Sequence, residues 1–135
     1  MKKHIFFLIL IKIINVQAYT GELDIKTITA KDLYENYLNN SSYQLIDNRP
    51  KEKFSAGHIK GAINLTYHSE GSPENVLNQK LLTEINKKKK IIFYCTGFDR
   101  AYHASQIAIT KWKIPKDRII WYKGGMIEWI QSGYP

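Results

Sequence analysis

The residues with the most chemical potential lie together, at Cys95-Thr96-Gly97-Phe98-Asp99-Arg100. Cys95 is the only cysteine of the chain, so counting alone excludes an internal disulfide. An apolar, β-prone run from Ile91 to Tyr94 leads into it, and a helical pattern begins at Ala101. Strand, tight loop and helix in that order aim the loop N–H groups and the positive end of the helix dipole at one point. A sulfur atom held there is favoured as thiolate, the nucleophilic form, and Arg100 adds positive charge. Asp99 works in the opposite direction, against an anion at the same place. Two readings of the thiol stand open: a small buried hydrophobe, or a nucleophile. Its place at the end of an apolar strand, with an arginine five residues on, favours the nucleophile.

The elements that must position this loop alternate in type along the chain. Short strands are expected at Ile25 to Ile28, Tyr43 to Ile46, Ala62 to Leu65, Ile91 to Tyr94 and Ile119 to Tyr122. Between them, Thr29 caps a helix with Asp32 in the capping-box position and with Leu33, Tyr34, Tyr37 and Leu38 on one face. Asn39-Asn40-Ser41-Ser42 ends that helix, and Phe54 sits in a single helical turn. Ser72-Pro73 is read as opening a further helix, by cap and N1 proline. In the helix from Ala101 to Trp112, Ala101, Ala104, Ala108 and Trp112 recur at helical spacing. Gly124-Gly125 reads as a tight turn after the last strand. Such alternation implies an α/β domain with a mostly parallel sheet covered by helices on both faces. Ligands of such sheets bind beyond the carboxyl ends of the strands, where Cys95 falls.

The first 18 residues read as a signal peptide: Lys2-Lys3, an apolar run from Ile5 to Ile11, and Val16-Gln17-Ala18 before the cut. The expected mature domain is 19–135, exported, and periplasmic in a bacterium with two membranes, with no membrane attachment after cleavage. Loss of Lys2, Lys3 and Lys12 leaves 17 basic residues against 12 acidic ones, a balance of +5. That excess can draw small anions to the surface. The Lys87–Lys90 run joins a helical pattern to a strand and lacks interleaved arginine and aromatic residues, so no nucleic-acid partner is expected. His68 and His103 have no partners at metal-ligand spacing, and neither phosphate-binding glycine fingerprint occurs. No metal or cofactor is called for. Trp112, Trp121 and Trp129 fall in apolar patterns and read as core.

Three stretches resemble the rhodanese family. Asp47-Asn48-Arg49, Phe54 and Gly57-His58-Ile59-Lys60-Gly61-Ala62-Ile63-Asn64-Leu65 look like its first signature. Phe93-Tyr94-Cys95 and the loop after it look like its active-site strand and loop, and Gly124-Gly125, Trp129 and Gly133-Tyr134-Pro135 like its C-terminal signature. The likeness runs from about Ile28 to Pro135. It departs at Lys53, where relatives often carry Glu, and at Gly97, two residues after the cysteine rather than three. The resemblance implies a single rhodanese-like domain and a sulfurtransferase in which Cys95 takes sulfane sulfur as a persulfide. The donor would be a small anion such as thiosulfate, and the acceptor a thiol or cyanide. Thr96, Gly97, Phe98, Asp99 and Arg100 would bind the substrate. Asp47 and Arg49 are read as bracing the loops, with substrate contact by Arg49 the lesser reading. His58 is read as a structural hydrogen-bonding residue.

Two other classes compete. A sulfur-carrier or binding module of low turnover would use the same cysteine. A phosphatase of related architecture needs a wider cradle, one residue longer between cysteine and arginine than the four here, Thr96 to Asp99.

Overall fold

In the computed structural model, residues 23–85 and 87–135 are described; the leader and its cleavage site lie outside them. Five strands form one parallel sheet: β1 (Lys26–Thr27), β2 (Tyr43–Asp47), β3 (Ile63–Asn64), β4 (Lys90–Tyr94) and β5 (Ile119–Trp121). Their order across the sheet is β1-β5-β4-β2-β3, so β4 is central. β2 and β4 pair over their whole length, from Tyr43 opposite Lys90 to Asp47 opposite Tyr94.

Side-chain alternation along the strands divides the core in two. Ile91, Phe93 and Cys95 point to one face with Ile46, Ile119 and Trp121; there they meet α3 (Gln79–Ile85) and α4 (Asp99–Thr110). Ile92 and Tyr94 point to the other with Leu45, Ile120 and Tyr122; there they meet Leu33, Phe54 and Trp129. Those three residues belong to the helical segment after Thr29, to α2 (Lys51–Ala56) and to α5 (Gly125–Gln131). A strand buried on both faces reads as a continuous apolar run, which is why Ile91 to Tyr94 shows no polar alternation.

The capping box at Thr29 forms as expected, with the Asp32 N–H donating to Thr29 Oγ1 at 3.1 Å and the Thr29 N–H to Asp32 Oδ2 at 3.4 Å. The segment starts as α1 (Ala30–Asp32) and widens into a π-helical turn, Leu33–Tyr37, closed by the Leu38 N–H on the Leu33 carbonyl. Of its four apolar residues only Leu33 is fully buried, and Tyr34 is largely exposed.

Ser72-Pro73 does not open a helix. Ser72 Oγ accepts from the Glu74 N–H in a turn, and the N–H groups of Val76 and Leu77 donate to the Thr66 carbonyl at 2.9 and 3.0 Å. Those two bonds draw Leu77 into the core and hold the backbone away from helical pairing. α3 starts instead at Gln79, capped by Asn78 Oδ1 accepting from the Leu81 N–H. The Gly124-Gly125 segment is more than a turn, because α5 begins at Gly125.

Candidate active site

Cys95 follows β4 directly, at the carboxyl edge of the sheet, and only 3% of it is exposed. α4 begins at Asp99, two residues earlier than the apolar periodicity suggests, so Asp99 and Arg100 lie in its first turn. Only Cys95, Thr96, Gly97 and Phe98 are left between strand and helix. No side chain caps the helix. Asp99 there offsets part of the positive end of the helix dipole.

The orientation of the loop is set by its carbonyls. The Cys95 carbonyl accepts from the Met126 N–H at 2.9 Å, and the Thr96 carbonyl from the Ile127 N–H at 3.1 Å. Both oxygens are thereby turned toward α5. Among the described residues, no backbone acceptor takes the N–H groups of Thr96 to Arg100. Successive free amides in a tight turn form a concave anion site.

Gly125 makes this arrangement possible. Its φ is +61°, and a Cβ would stand 2.4 Å from the Cys95 carbonyl oxygen and 2.8 Å from that of Thr96. Gly125→Ala should therefore cost at least the roughly 1–3 kcal/mol of a strained left-handed residue, and push the loop off α5 as well. At Gly97 a Cβ would meet only Ile127 Cδ1, at 3.9 Å. Gly97→Ala should thus be far milder than Gly125→Ala, and chemical denaturation of the two variants checks the order. Equal losses would mean that the α5 contact does not hold the loop.

Phe98, the last residue before α4, is partly exposed. Its ring lies edge-on to Trp121 at 4.9 Å and beside Tyr102 at 5.9 Å, with Lys123 Nζ 5.2 Å above it. Arg100 is half-buried and faces a groove beyond the ends of β2 and β3 rather than the core.

Asp47 and Arg49 form a buried brace, 0% and 6% exposed. Arg49 Nη2 and Nε donate to the Asp47 carboxylate at 2.7 and 3.1 Å, and Nη2 also donates to the Gly57 carbonyl at 2.7 Å. Burial opposes the Arg49 charge, but the bonds and charge of Asp47 outweigh it and raise the guanidinium's proton affinity. Asp47 is thus the carboxylate partner of Arg49. These bonds commit Nε and Nη2 of Arg49 to Asp47 and Gly57. The brace reaches β4 through Tyr94, whose phenol is kept protonated by burial and by the negative Asp47 beside it. Tyr94 Oη in turn accepts from the Ile59 N–H at 3.2 Å. His58 stacks on Phe54, its Nδ1 2.9 Å from the Phe54 carbonyl.

Sequence reasoning missed two contributors. Asn48, fully buried, continues the β2–β4 pairing with its N–H on the Tyr94 carbonyl, and its Nδ2 donates to the Leu65 carbonyl at 3.0 Å. α5 as the support of the loop was the other, signalled only by two glycines after a strand. Trp129 anchors α5, its Nε1 donating to the Pro135 carbonyl at 3.1 Å and its ring packing on Tyr134.

Comparison with known proteins bears on this geometry. A thiosulfate:glutathione sulfurtransferase of Saccharomyces cerevisiae is 27% identical over 124 residues, 88% of this chain and 81% of that protein. Among solved structures, a rhodanese-related protein of Thermoplasma volcanium superposes with a TM-score of 0.59 at 25% identity, covering 82% of this chain and 95% of its own. A single-domain sulfurtransferase of S. cerevisiae shares the fold at a TM-score of 0.58 and 21% identity, over 85% of this chain and 99% of its own. The family model of the rhodanese-like domain matches residues 29–132, from the Thr29 cap to the turn after α5. The chain belongs to the rhodanese-like domain family.

Proposed function

We propose that this protein is a sulfurtransferase that carries sulfane sulfur on Cys95. The observation that carries the reading is the loop itself: a single cysteine at the end of the central strand, with the following carbonyls turned out to α5 and the following amides left free. In the first half-reaction the Cys95 thiolate attacks the outer sulfur of a donor such as thiosulfate. A Cys95–sulfur bond forms, the donor's S–S bond breaks, and its electron pair leaves with sulfite. The free amides hold the terminal sulfur anion, which needs no metal or cofactor. In the second half-reaction a thiolate or cyanide attacks that terminal sulfur, and the S–S pair returns to Cys95 as thiolate. Incubation with thiosulfate should add the mass of one sulfur atom to the protein and release sulfite in equal amount. A protein that gains no sulfur from thiosulfate, mercaptopyruvate or polysulfide would end this reading. Export with cleavage after Ala18 is part of the proposal and rests on the leader residues; an intact mass starting at Tyr19 tests it.

Within this reading Arg100 supplies charge to the anionic donor from the first turn of α4. Arg100→Ala removes a charge-assisted contact worth roughly 1.5–3 kcal/mol, or about tenfold to hundredfold in transfer from thiosulfate. Asp99→Asn should act in the opposite sense. Thiosulfate turnover that is unchanged in Arg100→Ala would leave the cradle to the backbone alone.

A further inference from the structure

All five strands run parallel, so their amino ends share one edge of the sheet and Cys95 lies at the opposite one. Two connections meet side by side at the amino edge, from α3 into β4 and from α4 into β5. The first carries Lys87 to Lys90, and the second carries Lys113, Lys116 and Arg118. They touch: Arg118 Nη2 donates to the Lys89 carbonyl at 3.0 Å, and Ile91 pairs with Ile119 just inside the edge. Lys87, Lys88, Lys90, Lys113 and Lys116 are exposed. Apart from the Lys111–Glu70 pair, the described carboxylates in and beside these connections are Asp24, Glu84 and Asp117. Seven cations thus stand against three carboxylates, and one of the three, Asp24, lies 3.8 Å from Lys116.

Three further features mark this edge. Lys113 ends the α4 segment at φ +56°, the only non-glycine residue of positive φ among those described, at a place where glycine is usual. Trp112 beside it is only partly buried, whereas Trp121 and Trp129 are core. Indole rings next to lysines at the rim of an apolar body suit the boundary between lipid and water. The chain also enters the domain here, since Leu23 packs on the core and Asp24 stands beside Lys116. Residues 1–22, with the apolar run from Ile5 to Ile11, therefore join the domain at its basic edge.

The geometry points to a second binding surface: the amino edge docks on a bilayer surface rich in anionic phospholipid headgroups, with Trp112 at headgroup level and Cys95 turned to the solution. Nucleic acid is the poorer match. Six of the seven cations are lysines, which act as point charges, and one arginine with one partly buried ring offers little for forked phosphate contact or base stacking. The contact is peripheral, because no described helix is long and apolar enough to cross a membrane. It revises the expectation, drawn from the sequence, of a domain without membrane attachment once its leader is cut. It is independent of the sulfur chemistry at the other edge. Each lysine near an anionic surface tightens binding by roughly fivefold, and the attraction fades within a Debye length.

Vesicle sedimentation tests this with the chain from Tyr19, which holds all five strands and both halves of the core. It should bind vesicles enriched in phosphatidylglycerol, leave pure phosphatidylcholine vesicles unbound, and come off as salt is raised. Lys87→Gln/Lys88→Gln should weaken binding by roughly twenty- to thirtyfold. Lys51→Gln/Lys53→Gln removes the same charge from α2, which starts at the opposite edge, and should weaken it by less than about twofold. A nitroxide on the lipid headgroup should quench the fluorescence of the bound protein, and Trp112→Phe should remove that quenching while binding persists. Equal losses in the two lysine variants would mean that net charge alone attracts the protein, and overturn the inference. So would binding to phosphatidylcholine as tight as to phosphatidylglycerol, or quenching retained in Trp112→Phe. Binding to duplex DNA as tight as to the anionic vesicles at the same salt would overturn it in favour of nucleic acid.

Discussion

Cys95→Ser should abolish sulfur transfer and leave the fold in place. Serine has nearly the volume of cysteine, so the unfolding free energy should shift by only ~1 kcal/mol or less at this well-packed position. The loop's orientation does not depend on the sulfur, because it is set by the Cys95 and Thr96 carbonyls on α5 and by the glycine at position 125. A hydroxyl is scarcely ionised at neutral pH and cannot hold a sulfane sulfur. The mass gain after incubation with thiosulfate should vanish, together with thiocyanate production from cyanide. Thiocyanate formed by the Ser variant at the original rate would mean that the sulfur never passes through Cys95. A variant that unfolds would instead show that the thiol has a packing role larger than its volume predicts.

Asp47→Ala should be the most destabilising single change near the site. It would leave the Arg49 guanidinium buried without its carboxylate, a situation that typically costs about 3–5 kcal/mol. Since a domain of this size has only about 5–15 kcal/mol in total, the variant should be partly unfolded near 37 °C. Arg49→Ala should cost less, because a buried carboxylate can take up a proton and an arginine cannot lose one. In the double variant part of the loss should be recovered, giving a coupling of about 0.5–3 kcal/mol. Urea unfolding of the four proteins measures the cycle. Strict additivity would mean that the pair, though 2.7 Å apart, contributes no interaction of its own.

The sequence made the frame of the molecule readable, and the reasons are local. Ile91 to Tyr94 is apolar on both faces, which only a central strand requires. Thr29 and Asp32 carry a capping box that forms as written. Cys95 could be placed at the sheet's carboxyl edge because strand and helix periods meet around it. What stayed hidden depends on contacts distant in sequence. The turn at Ser72-Pro73 has good helix-start residues, but Thr66 captures the next amides through its carbonyl. α5 begins with a glycine and no side-chain cap, so it had no local start signal. The partner of Arg49 could not be chosen from spacing alone, since Asp47 and Glu52 were both within reach in the chain. The groove is invisible along the sequence because it draws on three strand ends.

The outermost strands, β1 and β3, are two residues long each, while the central β2 and β4 have five. Unpaired strand edges are templates for pairing between molecules, and short or lysine-bearing edges blunt that tendency. β1 consists of Lys26 and Thr27, both exposed. The hydrogen-bonding capacity of the sheet therefore runs out at both rims before a second molecule could extend it. The short rims disfavour association by strand addition, and a concentrated solution of the protein should resist conversion to fibrils as long as β2 and β4 stay paired.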